Sequence, residues 1–439
     1  MNLSFAKGTR LIVSILCLGM LAQTSIAQES DWRRKEIDIS FRSRRIDGFR
    51  FEESIGKNVD FAHATGKGVS FRRAQLPNVN FQNAVFEKPN FNGADLNGAI
   101  IKSSDMRGAD FRNTNMQKAD LYRATLLDSR FENADLTEAN LQAMKVSDRA
   151  RFNGATLNGA NLEDIDFTKA NFSRTSLVGA KFNKSELGEA NFSRAVIDKT
   201  DFSNCNLIRA NFSKVDLNNV NFTKAGLSRV NFSGASFNNV NLSEADLSLT
   251  NFNGVDLSKT KLTKVVFAQS RLKNMNFNRY DISGIIFDKS RILNSTMEGA
   301  TMVGASFYDA EGVEKVSFQG ANLDRAVFDG AYVYKCIFDK AQLNKANFAN
   351  ANLDRTNFNL AEMVGANFTG AKLSYISFLN ANLKNAKFNA DTRLENVDFS
   401  GADLTRADMK QLQARNCTFD GRTKFPAGFN PRKFGFKKR

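Results

Sequence analysis

The sequence predicts an all-β solenoid, a square coil that takes about 20 residues per turn. Three observations predict it. A large apolar residue stands at every fifth position over most of the chain, as at Phe212, Leu217, Phe222, Leu227 and Phe232. A small residue stands two places before each of them: Ala210, Val215, Val220, Ala225 and Val230. Of the 40 phenylalanines, 34 fall on the fifth positions; the exceptions are Phe5, Phe49 and four near the C-terminus.

A period of five fits neither regular element. On an α-helix each step of five turns the side chain by roughly 140°, so the set spirals and forms no stripe. On a straight strand five is odd, so successive members alternate faces. If the chain instead turns by about 90° after each pentad, every central side chain points to one axis. Four pentads then close a coil, and the next coil stacks about 4.8 Å above it through strand-like hydrogen bonds. The residue two before the centre also faces inward, close to a corner, and must be small.

The elements follow in order. Residues 1–27 read as a secretory signal peptide. Lys7 and Arg10 form its basic start, "LIVSILCLGMLA" at 11–22 is an apolar run short of a membrane span, and Ser25 and Ala27 are the small residues of a cleavage site. The mature protein is therefore expected to be periplasmic or secreted, and not transmembrane once the signal is cleaved. Residues 28–60 are expected to be an N-terminal cap with irregular first coils, because Gly56 and Gly66 occupy central positions. Residues 61–420 carry the repeat. Its frame slips by one residue three times: between Val146 and Phe152, between Phe307 and Val313, and between Phe388 and Leu394. Each slip reads as a bulged corner. Residues 421–439, "GRTKFPAGFNPRKFGFKKR", form a basic tail with seven Lys or Arg and no acid.

Stretches such as "ADLTEANLQA" (134–143), "ATLNGANLED" (155–164), "ADLSLTNFNG" (245–254) and "ANLDRTNFNLAEMVGANFTGAKL" (351–373) resemble the pentapeptide-repeat family, with its A(D/N)LXX consensus. The tail segment "TKFPAGFNPRKFG" (423–435) also resembles an ending seen in that family. The resemblance implies a right-handed quadrilateral β-helix of roughly 19 coils. It also implies two partner readings. Some family members are DNA mimics that bind type II topoisomerases, but they are acidic, whereas this chain has a formal charge of +15 and an export signal. End-to-end homodimers through a C-terminal coil are a second implication; a homodimer is left open, since the basic tail could equally oppose one.

The chemistry-bearing residues give little support to an enzyme. Cys205, Cys336 and Cys417 each fall two before a centre and are expected to be core thiols that replace Ala, too far apart for disulfides. His63 is the single histidine, so no His-based metal cluster is expected, and no Cys-x-x-Cys or phosphate-binding loop occurs. Asp and Asn recur just before the centres, where corners need hydrogen bonds. The same pattern generates Asn-x-Ser sequences at Asn171, Asn191 and Asn231 as by-products. No cofactor and no small-molecule substrate is expected.

The tail is the one charge feature above background. Phe425 and Phe429 are expected to cover the open end of the last coil. Arg432, Lys433, Lys437, Lys438 and Arg439 are the candidate residues for an anionic partner. The sequence thus predicts a non-enzymatic exported scaffold that presents its faces to a protein or an anionic envelope component. Nucleic-acid binding through the tail is the lesser alternative.

Overall fold

The computed structural model describes residues 29–252, 255–389 and 391–439; the expected signal peptide, with Cys17, lies outside them. The chain is a right-handed quadrilateral β-helix that divides into two compact units, Met1–Asn161 and Leu162–Arg439. The ladders are parallel, with partners 20 residues apart in the regular coils, as in Asn211–Asn231 or Asn347–Asn367.

The pentad Asn221–Ala225 shows why this sequence turns where it does. Phe222 points inward, and its N–H donates to the Asn241 carbonyl of the next coil at 2.7 Å. The Phe222 carbonyl then accepts from Ala225 N–H at 3.0 Å, closing a four-residue turn whose third residue, Lys224, has φ +60°. Left-handed backbone at that place is what a type II turn needs. The Asn221 side chain accepts from Thr223 N–H at 3.1 Å, so Asn or Asp before the centre fixes the corner. The same bond recurs from Asn171 to Ser173 and from Asn191 to Ser193.

Packing follows from the repeat. Every central phenylalanine from Phe41 to Phe399 is buried, as is the small column from Ala210 to Val230. The rings form continuous stacks one coil apart. In the second unit, Phe318, Phe338, Phe358, Phe378 and Phe399 stack at centroid distances of 4.6, 4.8, 5.3 and 5.3 Å. Neighbouring stacks meet edge to face, as Phe328 and Phe338 do at 5.7 Å. The three thiols lie in the small column as expected and are free and buried. Each donates to a carbonyl one coil back, Cys205 to Phe182 at 2.9 Å and Cys336 to Val313 at 3.1 Å.

The frame slips are 21-residue coils. Arg291 pairs with Gly312, and Lys372 with Arg393, so the ladder stays in register across each extra residue. In the second unit both extra residues sit at the same corner, the one that leads into the sheet running from Arg271–Lys273 to Gln413–Arg415. That sheet has eight parallel strands, the most of any sheet among the described residues.

Residues 29–60, where the sequence predicts an irregular cap, carry coil bridges from Asp31–Arg50 onward, and Trp32 is buried against Phe41 and Phe51. The central glycines of this region are packing requirements. A Cβ on Gly56 would lie 2.6 Å from Val59 Cγ2, and one on Gly66 would lie 2.8 Å from Val69 Cγ2 and 3.1 Å from the Ile46 carbonyl.

Candidate functional site

The C-terminal end is built as a folded closure. Asp420 starts it: its carboxylate accepts from the N–H groups of Gly401 at 2.8 Å, Arg422 at 3.0 Å and Thr423 at 3.1 Å. Burial pushes the Asp420 carboxyl up, but the Gly401 N–H and the Arg422 guanidinium outweigh it and hold the group well below the usual carboxylate range. Farther on, Asn430 caps a single 3-10 turn, Pro431–Phe434, and Gly435 ends it with φ 80°. The chain then returns as a short strand. Lys437 N–H donates to the Cys417 carbonyl at 2.8 Å, and Thr418 and Phe419 pair with Lys437 and Lys438.

The covering rings are a cluster. Phe425 lies 5.3 Å from Phe419 and 5.4 Å from Phe429, and Phe429 lies 4.9 Å from Phe434. The deepest ring is Phe436, which is buried 5.7 Å from Phe399; Phe425 and Phe429 are only half-buried. Sequence reading missed Phe436 because it lies outside the pentad frame. Its signal was its place two before a residue that pairs with Phe419, the position Cys417 holds one coil earlier.

The candidate cations divide in two. Arg439 is held at 3.0 Å from Asp398, as Arg422 is at 2.9 Å from Asp420, while Lys424 lies 3.5 Å from Asp403. Arg432, Lys433, Lys437 and Lys438 are exposed and make no ion pair among the described residues. Lys433 borders a groove of about 760 Å³, floored by Met409, Pro426, Phe429 and Phe434 and edged by Arg406, Asp408 and Lys410. Arg406 and Lys410 belong to the last repeats, and only the fold brings them to the tail.

His63 is exposed at a left-handed turn position with φ 57°. Burial pushes the Cys205 and Cys336 thiols up to about 12 and the Cys417 thiol up to about 11, the reverse of an activated nucleophile. Among the described residues, no group of three or more His, Cys, Asp or Glu could hold a metal ion. No helix among them is long and apolar enough to cross a membrane.

Sequence reading also left the outward residues unsorted by face. Counting in steps of 20, with 21 at the slips, sorts them. The face of the eight-stranded sheet carries Arg271, Lys273, Arg291, Lys315, Lys335, Arg355, Lys372, Arg393 and Arg415 against Glu311, Glu314, Asp354 and Glu395. The face before it, along Phe267 to Met409, has Lys289, Lys387 and Lys410 against Asp288, Asp309, Asp329 and Asp408. The face after it, along Phe277 to Phe419, has Arg279 and Lys340 against Glu298, Asp339, Asp398 and Asp420. One basic face is thus bounded by two acidic ones.

Fold and site together define a solenoid whose interior is filled by its own repeat. The chain belongs to the pentapeptide-repeat family. A family model for a pentapeptide repeat region matches residues 99–182, 165–236 and 312–388, and one for pentapeptide repeats in eight copies matches 67–102, 225–263 and 390–421. No curated protein matches the chain. Among solved structures it is similar to HetL, a pentapeptide-repeat protein involved in heterocyst differentiation regulation in the cyanobacterium Nostoc sp. strain PCC 7120. That match has 21% identity over 57% of this chain and 96% of HetL, with a TM-score of 0.18. Full-length QnrB1, a plasmid-mediated fluoroquinolone resistance protein, is 18% identical over 51% of this chain and 91% of its own, with a TM-score of 0.18. A pentapeptide-repeat protein of the Arabidopsis thaliana thylakoid lumen is 24% identical over 28% and 69%, with a TM-score of 0.14.

Proposed function

We propose that this protein is a non-enzymatic, exported binding scaffold whose basic C-terminal end contacts an anionic component of the cell envelope. The observation that carries the reading is the closing end. It is folded and rigidly paired, yet it keeps Arg432, Lys433, Lys437 and Lys438 exposed and without carboxylate partners among the described residues. The filled core supports a binding role over catalysis, since active sites favour clefts that converge polar groups. The signal-peptide pattern of residues 1–27 supports export.

The test is sedimentation of the mature protein, 28–439, with isolated envelope fractions at low and high salt. Truncating the tail is a poor comparison, because it would uncover Phe399 and the Thr418–Phe419 strand edge. The comparison is the fourfold variant Arg432→Gln, Lys433→Gln, Lys437→Gln and Lys438→Gln. The wild type is expected to sediment at low salt and to be released at high salt, and the variant to remain in solution. A wild type that stays in solution at both salts, or a variant that sediments equally, overturns the proposed contact. An N-terminus that still carries residues 1–27 in the mature protein overturns the cleaved signal peptide.

A further inference from the structure

The basic face of the second unit has features that solubility alone does not require. Lys315, Lys335 and Arg355 stand directly above one another in consecutive coils, each at a left-handed position with φ between 50° and 54°. Rows of one sheet lie about 4.8 Å apart, and like charges stacked across a ladder repel. Of this column only Arg355 is in an ion pair among the described residues, with Asp354 at 3.0 Å. Lys315 and Lys335 have no ion pair among the described residues, and a bound polyanion would relieve their repulsion.

Aromatic rings lie among these cations. Tyr332 and Tyr334 project from one strand with ring centroids 6.1 Å apart and planes within 9°. Lys335 sits 5.1 Å from the Tyr334 ring, and Arg355 sits 5.2 Å from Tyr375, which is 53% exposed. Three of the six tyrosines of the chain therefore share one face within three coils. The eight rows span about 34 Å.

We propose that this face binds a linear acidic polysaccharide laid along the stacked coils. Its carboxylates would meet the cation columns, and the C–H faces of its sugar rings would lie on the tyrosines. This deepens the envelope-scaffold reading above and rests on it for the location of the partner. A protein partner fits less well, because interface centres are poor in charge and rich in buried apolar surface. On this face Tyr375 is the one large hydrophobic residue more exposed than buried among the described residues. Single-stranded nucleic acid fits less well too. It wants aromatic faces lining a groove, whereas these rings stand on the outer side of a sheet.

The experiment uses the mature full chain in native affinity gels that contain polygalacturonate, with neutral dextran as control and an oligothymidylate competitor. Three forms are compared: the wild type, the face variant Lys335→Gln, Arg355→Gln and Lys372→Gln, and the fourfold tail variant. A separate Tyr375→Ser variant tests the ring contact without altering charge. All these side chains are exposed or on the surface, and an unchanged melting curve verifies the fold. Retardation by polygalacturonate but not dextran is expected. It should weaken at least tenfold in the face variant, weaken in Tyr375→Ser and persist in the tail variant. Absence of retardation, equal retardation of the face variant, or tighter binding of oligothymidylate overturns the proposal. Envelope sedimentation is read in parallel. If it survives in the wild type while polygalacturonate binding is absent, only the polysaccharide inference falls; if it is absent, the envelope reading falls.

Discussion

Replacing Phe338 by Ala tests whether the stacked rings hold the solenoid together. The ring is fully buried, lies between Phe318 at 4.6 Å and Phe358 at 4.8 Å, and meets Phe328 and Phe348 edge to face at 5.7 and 6.3 Å. Removing it loses the transfer energy of a whole phenyl group and leaves a cavity that the flanking coils cannot close, a cost of about 3–5 kcal/mol. Phe338→Leu keeps most of the apolar volume and loses the two stacked pairs. At roughly 0.5–1.5 kcal/mol per aromatic pair, that costs about 1–3 kcal/mol. A solenoid couples mainly to nearest neighbours, so the loss should stay local. Urea unfolding gives the magnitudes, and hydrogen exchange by mass spectrometry gives the location. Peptides spanning 318–358 should lose protection, while those of the first unit, before Leu162, should keep it. A Phe338→Leu variant as stable as the wild type would show that the stacks contribute nothing specific. Uniform loss of protection across both units would refute nearest-neighbour coupling.

Two further predictions follow from the small inward column and the thiols. Gly66→Ala should destabilise by about 1–3 kcal/mol through overpacking against Val69 and the Ile46 carbonyl. Adding Val69→Ala should recover part of that loss, and thermal melting of both variants measures it. Cys205, Cys336 and Cys417 have folded-state values raised to about 12, 12 and 11, so their stabilising effect is complete below the unfolded thiol's value and is lost as pH rises toward the folded ones. Between about pH 9 and 11 each thiol should remove about 1.4 kcal/mol per pH unit. The triple variant Cys205→Ala, Cys336→Ala and Cys417→Ala should therefore have a shallower alkaline decline in urea midpoint than the wild type; identical declines would show that the thiols are not buried as described.

The interior was legible in the sequence because each inward position obeys one rule. A central Phe or Leu and a small residue two before it satisfy the same square everywhere, so Phe212 and Phe338 could be placed by counting alone. The slips at 147–152, 308–313 and 389–394 were legible for the same reason. Two things were not. Gly56 and Gly66 look like breaks in the pattern, and only the positions of Val59, Ile37, Val69 and Ile46 show that they are fitted to it. The closing end was only half legible: the tail's charge was plain, but the pairing of Arg439 with Asp398 joins residues 41 apart and depends on the returning strand. The sorting of charge by face was present in the sequence, at a spacing of 20 or 21, but no local pattern reveals it. Lys335 and Arg355 become neighbours only once the coil length is known.

The register of the coils also makes the chain a ruler. Val333 pairs with Leu353, so excising residues 333–352 would set Leu353 where Val333 stood and leave every later residue on its own side of the square. The molecule would be one storey shorter and otherwise unchanged. Excising a single pentad would instead rotate everything beyond it by a quarter turn, moving Lys372 and Arg393 off the basic side and onto an acidic one. Changes of length by whole coils would preserve which charges share a face, while changes by single pentads would scramble them.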